Sequence, residues 1–228
     1  HADSKDQGNI DFNRISDHEI EIIYKSIKFA PRKVDFDFNF SSSGVSEKNK
    51  EIMSEAKYII CVINFRLDDE DIISSIRIEN KSEEEISDVF FPIISGFGNE
   101  TRDMDITWPV QTQINKRIIS KPYLNLGGDN HKEWFHEKRF IQARYPLELT
   151  TAWMDFADES GGLSFDIRSS EPQIFDLCIE KVISKNPDSR KDNSKGLFMA
   201  LEYYPDVKTG TIWQSPTTII KVHNDNWH

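Results

Sequence analysis

The segment Val34-Asp-Phe-Asp-Phe-Asn-Phe40 constrains the fold more than any other. Its apolar side chains stand at 34, 36, 38 and 40, with polar ones between. A two-residue repeat puts every aromatic ring on one face, which is the pattern of a half-buried antiparallel strand and not of a helix. Alternating or continuous apolar runs recur at 20–29, 58–67, 72–79, 89–94, 145–156, 163–167, 174–183, 197–203 and 211–222. Turn-forming clusters separate them: Ser41-Ser-Ser-Gly44, Asn80-Lys-Ser82, Gly96-Phe-Gly98, Gly127-Gly-Asp129, Ser160-Gly-Gly162 and Asn186-Pro-Asp188. No stretch sustains an i, i+3, i+4, i+7 pattern, and 47–56 alone reads as a short polar helix. The expectation is therefore an all-β chain, one large antiparallel β-sandwich with few short helices.

Size agrees with a single domain. At 228 residues, a sandwich buries about 70% of the surface its unfolded chain exposes, enough for a core without metal or disulfide staples. Residues 1–228 are expected to be one domain. The start His1-Ala2 lacks a methionine, so 1–15 is expected to be a tag remnant or a flexible N-terminal segment. Cys61 and Cys178 each sit in an apolar run and read as small core residues; spacing does not say whether they pair.

Charge narrows the partners. Lysine and arginine total 28 against 39 acids, a net charge of −11 with no basic block. Such a chain is poorly matched to a phosphate backbone or an anionic bilayer, so neither nucleic acid nor membrane is an expected partner. No run reaches the roughly 18 apolar residues of a membrane span. No signal peptide is recognised, and the location stays open between cytoplasmic and secreted.

Motifs with catalytic meaning are scarce. Gly96-Phe-Gly98-Asn-Glu-Thr101 lacks the third glycine and the following helix of a dinucleotide loop. His131-Lys-Glu-Trp-Phe-His136 spaces its imidazoles so that strand and helix alike point them apart, so no metal site is expected. No nucleophile elbow or phosphate loop occurs, and no cofactor is called for.

Aromatic placement points elsewhere. Trp108 follows Arg102-Asp-Met-Asp-Ile-Thr107, and Trp134 stands between Asp129, His131 and His136. Both segments read as long loops beyond the strands. A flat ring beside planar hydrogen-bonding groups suits a sugar, whose C–H face stacks on the ring while its hydroxyls take the polar groups. Asp105, Trp108, Asp129, His131, Trp134 and His136 are thus candidate carbohydrate contacts, with core or interdomain packing of the two tryptophans as the competing reading. Trp153, in Thr150-Thr-Ala-Trp-Met-Asp-Phe156, reads as a core strand residue.

Three stretches carry a family resemblance. Ser75-Ile-Arg-Ile-Glu-Asn-Lys-Ser82 with Ile86-Ser-Asp-Val-Phe-Phe-Pro-Ile-Ile-Ser-Gly96 resembles a stretch of alternating apolar residues, Asn, and then Phe-Pro and Gly in bacterial glycoside-hydrolase N-terminal β-supersandwich domains. Arg144-Tyr-Pro146, Trp153-Met-Asp-Phe156 and Gly161-Gly-Leu163 are similar to the family's next run. Asn224-Asp-Asn-Trp-His228 resembles the Gly-Asp-Trp-His passage into the catalytic barrel, with Asn-Asp-Asn in place of Gly-Asp, and Ser164 stands where tyrosine is common. The resemblance implies a galactose-mutarotase-like fold and a bacterial source. It also implies a (β/α)8 catalytic barrel elsewhere in the same polypeptide as partner, and oligosaccharide or polysaccharide as ligand. The sandwich itself would hold no catalytic residue, and Trp227 and His228 would pack at the domain junction. A self-sufficient carbohydrate-binding module and an aldose 1-epimerase, which would enlist His131, Glu133 and His136, are the alternatives.

Overall fold

The computed structural model describes residues 7–28, 57–97, 104–107, 116–119, 140–181 and 197–224. The alternating segment 34–40 and the helix expected at 47–56 lie outside them. The described residues hold fourteen strands and no helix: β1 (Ile10–Ser16), β2 (Glu19–Tyr24), β3 (Ile59–Asp68), β4 (Asp71–Asn80), β5 (Val89–Phe97), β6 (Met104–Thr107), β7 (Lys116–Ile119), β8 (Phe140–Tyr145), β9 (Trp153–Asp158), β10 (Gly161–Arg168), β11 (Phe175–Lys181), β12 (Leu197–Tyr203), β13 (Ile212–Gln214) and β14 (Thr217–His223). They form a ten-stranded sheet in the order β1-β2-β3-β4-β14-β10-β9-β6-β7, with β13 also on β4, and a four-stranded sheet β5-β12-β11-β8. Every strand pair is antiparallel.

Alternation decides which face turns inward. In β9, Met154 and Phe156 are buried among core residues, and in β10 so are Phe165 and Ile167. From the small sheet Phe175, Leu177 and Ile179 of β11 meet Met199, Leu201 and Tyr203 of β12 in the same cluster. Each such side chain contributes about 1.5–3 kcal/mol when fully buried. Ring contacts tie the layers: Tyr203 of β12 lies 5.5 Å from Trp213 of β13, and Phe91 of β5 lies 6.5 Å from Phe65 of β3. Phe156 meets Phe165 edge-on at 5.7 Å.

Two local features show the sequence dictating the backbone. The run 211–222 breaks at Ser215-Pro216 into β13 and β14, which share one edge of β4. Proline offers no N–H to a ladder; here Ser215 Oγ accepts the Ile76 N–H at 3.0 Å while its own N–H reaches Ile76 O at 2.9 Å. Asn80, fully buried, ends β4 by donating to the Glu84 and Val207 carbonyls and accepting from the Ser82 N–H and hydroxyl. Every polar atom of its amide is thus occupied, as burial demands.

Three expectations need correction. Residues 10–15, assigned to a tag remnant or flexible end, belong to β1 and pair with β2. The stretch before Trp108, read as a loop, contains β6, whose Asp105 pairs in register with Ala157 of β9 and Ile118 of β7. Trp153 opens β9 but is half-buried on the outer side, not in the core. Both cysteines are buried and they are not joined in a disulfide; burial pushes the Cys61 thiol up to about 12.

Candidate functional site

The outward residues of β9, β10 and β14 build a polar face on the large sheet. In β9 these are Trp153, Asp155 and Ala157, opposite the inward Met154 and Phe156. Register sets Trp153 beside Asp166, Asp155 beside Ser164 and Ala157 beside Gly162, then Gly162 beside His223 and Ser164 beside Lys221. Thr107 of β6 stands beside Asp155 on the other flank.

Asp155 and His223 are two strands apart, yet His223 Nε2 lies 2.7 Å from Asp155 Oδ1. The imidazole must cross β10 to get there, and it does so over Gly162. A Cβ on Gly162 would stand 2.6 Å from two ring atoms and 2.7 Å from the Phe156 carbonyl oxygen, so no other residue fits beneath the ring. Its neighbour Gly161 adopts φ +132°, a left-handed conformation that favours glycine. The Gly-Gly pair thus serves both the β9–β10 turn and the seat of the histidine.

Asp155 is 2% exposed, although it faces away from the core. Burial pushes its carboxyl above its ordinary value, against the hydrogen bond and charge of His223 and the Phe156 backbone N–H, which lower it. An acid holding Nε2–H fixes the ring's orientation and tautomer and leaves Nδ1 as an acceptor. Nearby, Arg168 Nε donates to Asp166 Oδ2 at 2.7 Å, and Lys221 pairs with Asp71 at 3.1 Å. The face therefore offers a half-buried indole, an oriented imidazole and a carboxylate, the groups that a sugar's C–H face and hydroxyls require.

A second polar cluster occupies the outer face of the small sheet. Arg144 of β8, Asp176 of β11 and Glu202 of β12 are adjacent in register. Arg144 grips Asp176 with Nε at 2.7 Å and Nη2 at 2.9 Å, and Tyr204 Oη donates to the same carboxylate at 2.6 Å. The guanidinium also covers the Tyr204 ring at 5.1 Å. Hydrogen bonding to Asp176 drives the Arg144 pKa upward, and burial with Asp176 does the same to Tyr204. Glu202 is raised above its ordinary value by burial and by the charges of Asp176 and Asp88, with Tyr204 and Cys178 hydrogen bonds opposing. The cluster binds its own charges together and clamps three strands.

Of the candidate carbohydrate contacts named from the sequence, only Asp105 falls among the described residues, beside Ala157 at the margin of the β9–β10–β14 face. Trp108, Asp129, His131, Trp134 and His136 lie outside the described residues, as do Glu133, Trp227 and His228. Asp155, Asp166 and His223 were missed. Their signal is a polar residue at every second position of an apolar strand, as in Trp153-Met-Asp155 and Phe165-Asp166-Ile167.

No protein-family model matches the sequence, and no curated protein matches it. Among solved structures, a galactose mutarotase-like protein from Lactobacillus casei superposes with a TM-score of 0.52 at 12% identity, over 94% of this chain and 73% of that one. A GH36 α-galactosidase from Geobacillus stearothermophilus gives a TM-score of 0.48 at 8% identity, over 96% of this chain but only 28% of the enzyme. The first likeness carries the fold assignment: the chain is an all-β sandwich of the galactose mutarotase-like kind.

Proposed function

We propose that this chain is a non-catalytic, sugar-contacting sandwich domain of a glycoside hydrolase, standing beside a (β/α)8 barrel of the same polypeptide. The observation that carries the sugar contact is the outward face of β9, β10 and β14. There the Asp155-held His223 and Asp166 flank Trp153 on a rigid sheet. Orienting a ring before binding removes part of the entropic cost of ordering it. The order of motifs across residues 75–163 and the sandwich fold support the hydrolase assignment. Trp108 and Trp134 belong to the same proposal as contacts reaching toward the barrel cleft, and Trp227 and His228 as junction residues.

Calorimetric titration of this chain with galacto- and gluco-oligosaccharides tests the sugar contact. The expected result is saturable binding that Trp153→Ala or Asp166→Asn weakens about tenfold, some 1.4 kcal/mol. No heat with any sugar, or binding indifferent to both variants, removes the face from the proposal. In the full-length enzyme, alanine at Trp108 and Trp134 is expected to raise KM for polymeric substrate.

One observation favours a second reading, an aldose 1-epimerase. A carboxylate-held imidazole is the kind of group that moves a proton between anomeric hydroxyl and ring oxygen. Polarimetry on freshly dissolved α-galactose or α-glucose separates the two readings. Mutarotation accelerated by the chain and lost in His223→Asn establishes the epimerase; a spontaneous rate leaves the binding domain.

A further inference from the structure

The strand at one end of the large sheet carries a feature that sugar binding does not use. Among the described residues β1 bonds to β2 alone, and all of its residues from Asp11 to Ser16 are exposed. The Lys25 N–H meets Asn9 O at 3.5 Å, and the register continues through Ile10↔Tyr24, Asp11↔Ile23 and Phe12↔Ile22. In an antiparallel ladder, hydrogen-bonded and non-bonded pairs alternate. Asn9, Asp11 and Asn13 therefore turn their amides toward β2, while Ile10, Phe12 and Arg14 turn theirs to the open edge. Such a row is a template for another strand unless charge or proline blunts it. Here the residue at its centre is Phe12, 75% exposed.

We propose that β1 is a self-association edge: two copies of the chain pair antiparallel through β1 about a two-fold axis at Phe12. Phe12 then exchanges both backbone hydrogen bonds with the partner's Phe12, and Ile10 does so with the partner's Arg14. Their side chains share one side of the joined sheet. On the other side Asp11 meets the partner's Asn13, an acceptor opposite a donor. The neighbouring registers are worse. A two-fold at Asp11 sets that carboxylate against itself, and one at Asn13 runs Asp11 into the irregularity between Arg14 and Ser16.

Charge permits the approach. The chain carries −11 overall, yet along this edge Asp11 pairs with Lys25, and Arg14 with Asp17 at 2.7 Å. The charges on β1 itself are thus matched, Glu19 and Glu21 of β2 stand one strand inward, and the two-fold places no like charges directly opposite, the arrangement that destabilises cross-strand pairs. A self-complementary patch of this kind closes as a dimer and goes no further.

Sedimentation equilibrium of the chain tests the proposal. A species of twice the 26.5 kDa chain mass is expected. Phe12→Pro removes the outward N–H without touching the bonds to β2, and Phe12→Lys sets two cations across the axis. Each is expected to raise the dimer Kd at least about a hundredfold. Under mild oxidation Phe12→Cys should form an interchain disulfide, because paired residues stand about 5.5 Å apart at Cα, within bridging range. Ile20→Cys, one strand inward, should not. Sedimentation at the single-chain mass up to about 100 µM, a dissociation constant too weak to matter, overturns the proposal. So does a dimer unmoved by both Phe12 variants, or cross-linking of Ile20→Cys as fast as Phe12→Cys.

Discussion

Asp155 and Asp176 make an informative pair. Both are carboxylates on the outward faces of their sheets, 2% and 1% exposed, and both are held by a basic side chain from another strand. The partners differ. Asp176 takes two bonds from Arg144 and one from Tyr204, and a guanidinium keeps its charge at any working pH. Asp155 takes its side-chain bond from His223, an imidazole with a second ring nitrogen still to offer. The first arrangement is a fixed clamp across β8, β11 and β12. The second fixes an imidazole through one nitrogen and leaves the other as an acceptor, which is what the proposed sugar contact uses and a clamp does not offer.

Arg144→Ala breaks the clamp. It strands a buried carboxylate, a defect of 3–5 kcal/mol for a fully buried pair; with the arginine side chain 45% exposed, a loss of about 2–3 kcal/mol in urea unfolding is expected. The deficit should stay constant from pH 6 to 9. A deficit that varied across that range would erase the contrast with Asp155.

Gly162→Ala attacks the other site from beneath. The new Cβ collides with the imidazole and with backbone, so about 1–3 kcal/mol is lost, as for an overpacked core. Sugar binding should fall with it, whereas Gly210→Ala, which has open space but a positive φ, should cost stability and spare binding.

His223→Ala sharpens the pH contrast. Burial already raises the folded-state pKa of Asp155, and His223 supplies the opposing pull, so removing the ring raises it further. The variant's deficit should be about 1–2 kcal/mol near pH 7, where the carboxylate must stay ionised. It should shrink as pH falls through the raised folded-state value and the acid takes up its proton. Unfolding curves between pH 3 and 8 check this.

Glu202→Gln gives the smallest effect. The raised folded-state pKa of Glu202 means that its contribution is fully present below the unfolded value of 4.5 and is lost as pH rises through the folded one. The amide does not titrate, so the variant should gain on the parent with rising pH, by about 0.5–1 kcal/mol at neutrality. No gain would place the pH sensitivity of this cluster elsewhere.

The layered fold was legible in the sequence because burial on one face writes itself as alternation, clearest at Leu163-Ser-Phe165-Asp-Ile167. Among the strands that escaped, β1 has little to bury, β6 is short, and β8 lies just ahead of the apolar run read at 145–156, whose first part is turns. β1 is an exposed edge whose Ile-Asp-Phe-Asn-Arg-Ile-Ser resembles a polar tail, and β6 is only four residues long. The split of 211–222 was hidden because a Ser-Pro step reads equally well as a strand irregularity. The site was less legible still. Asp155 and His223 are 68 residues apart, and Arg144 and Asp176 are 32 apart; only the strand order and register bring them together. Aromatic-rich loops drew attention because sequence displays tryptophan, whereas an imidazole lying over a glycine leaves no local mark beyond the Gly161-Gly162 pair.

The most direct test of the sugar-contacting face is nitrogen-15 NMR of the His223 imidazole, titrated with galactose and then with oligosaccharides of galactose and glucose. Nε2 should carry the proton throughout, bonded to Asp155, while the Nδ1 resonance moves saturably with sugar and ceases to move in Trp153→Ala. An imidazole that no sugar perturbs, or one whose proton sits on Nδ1, would contradict the account.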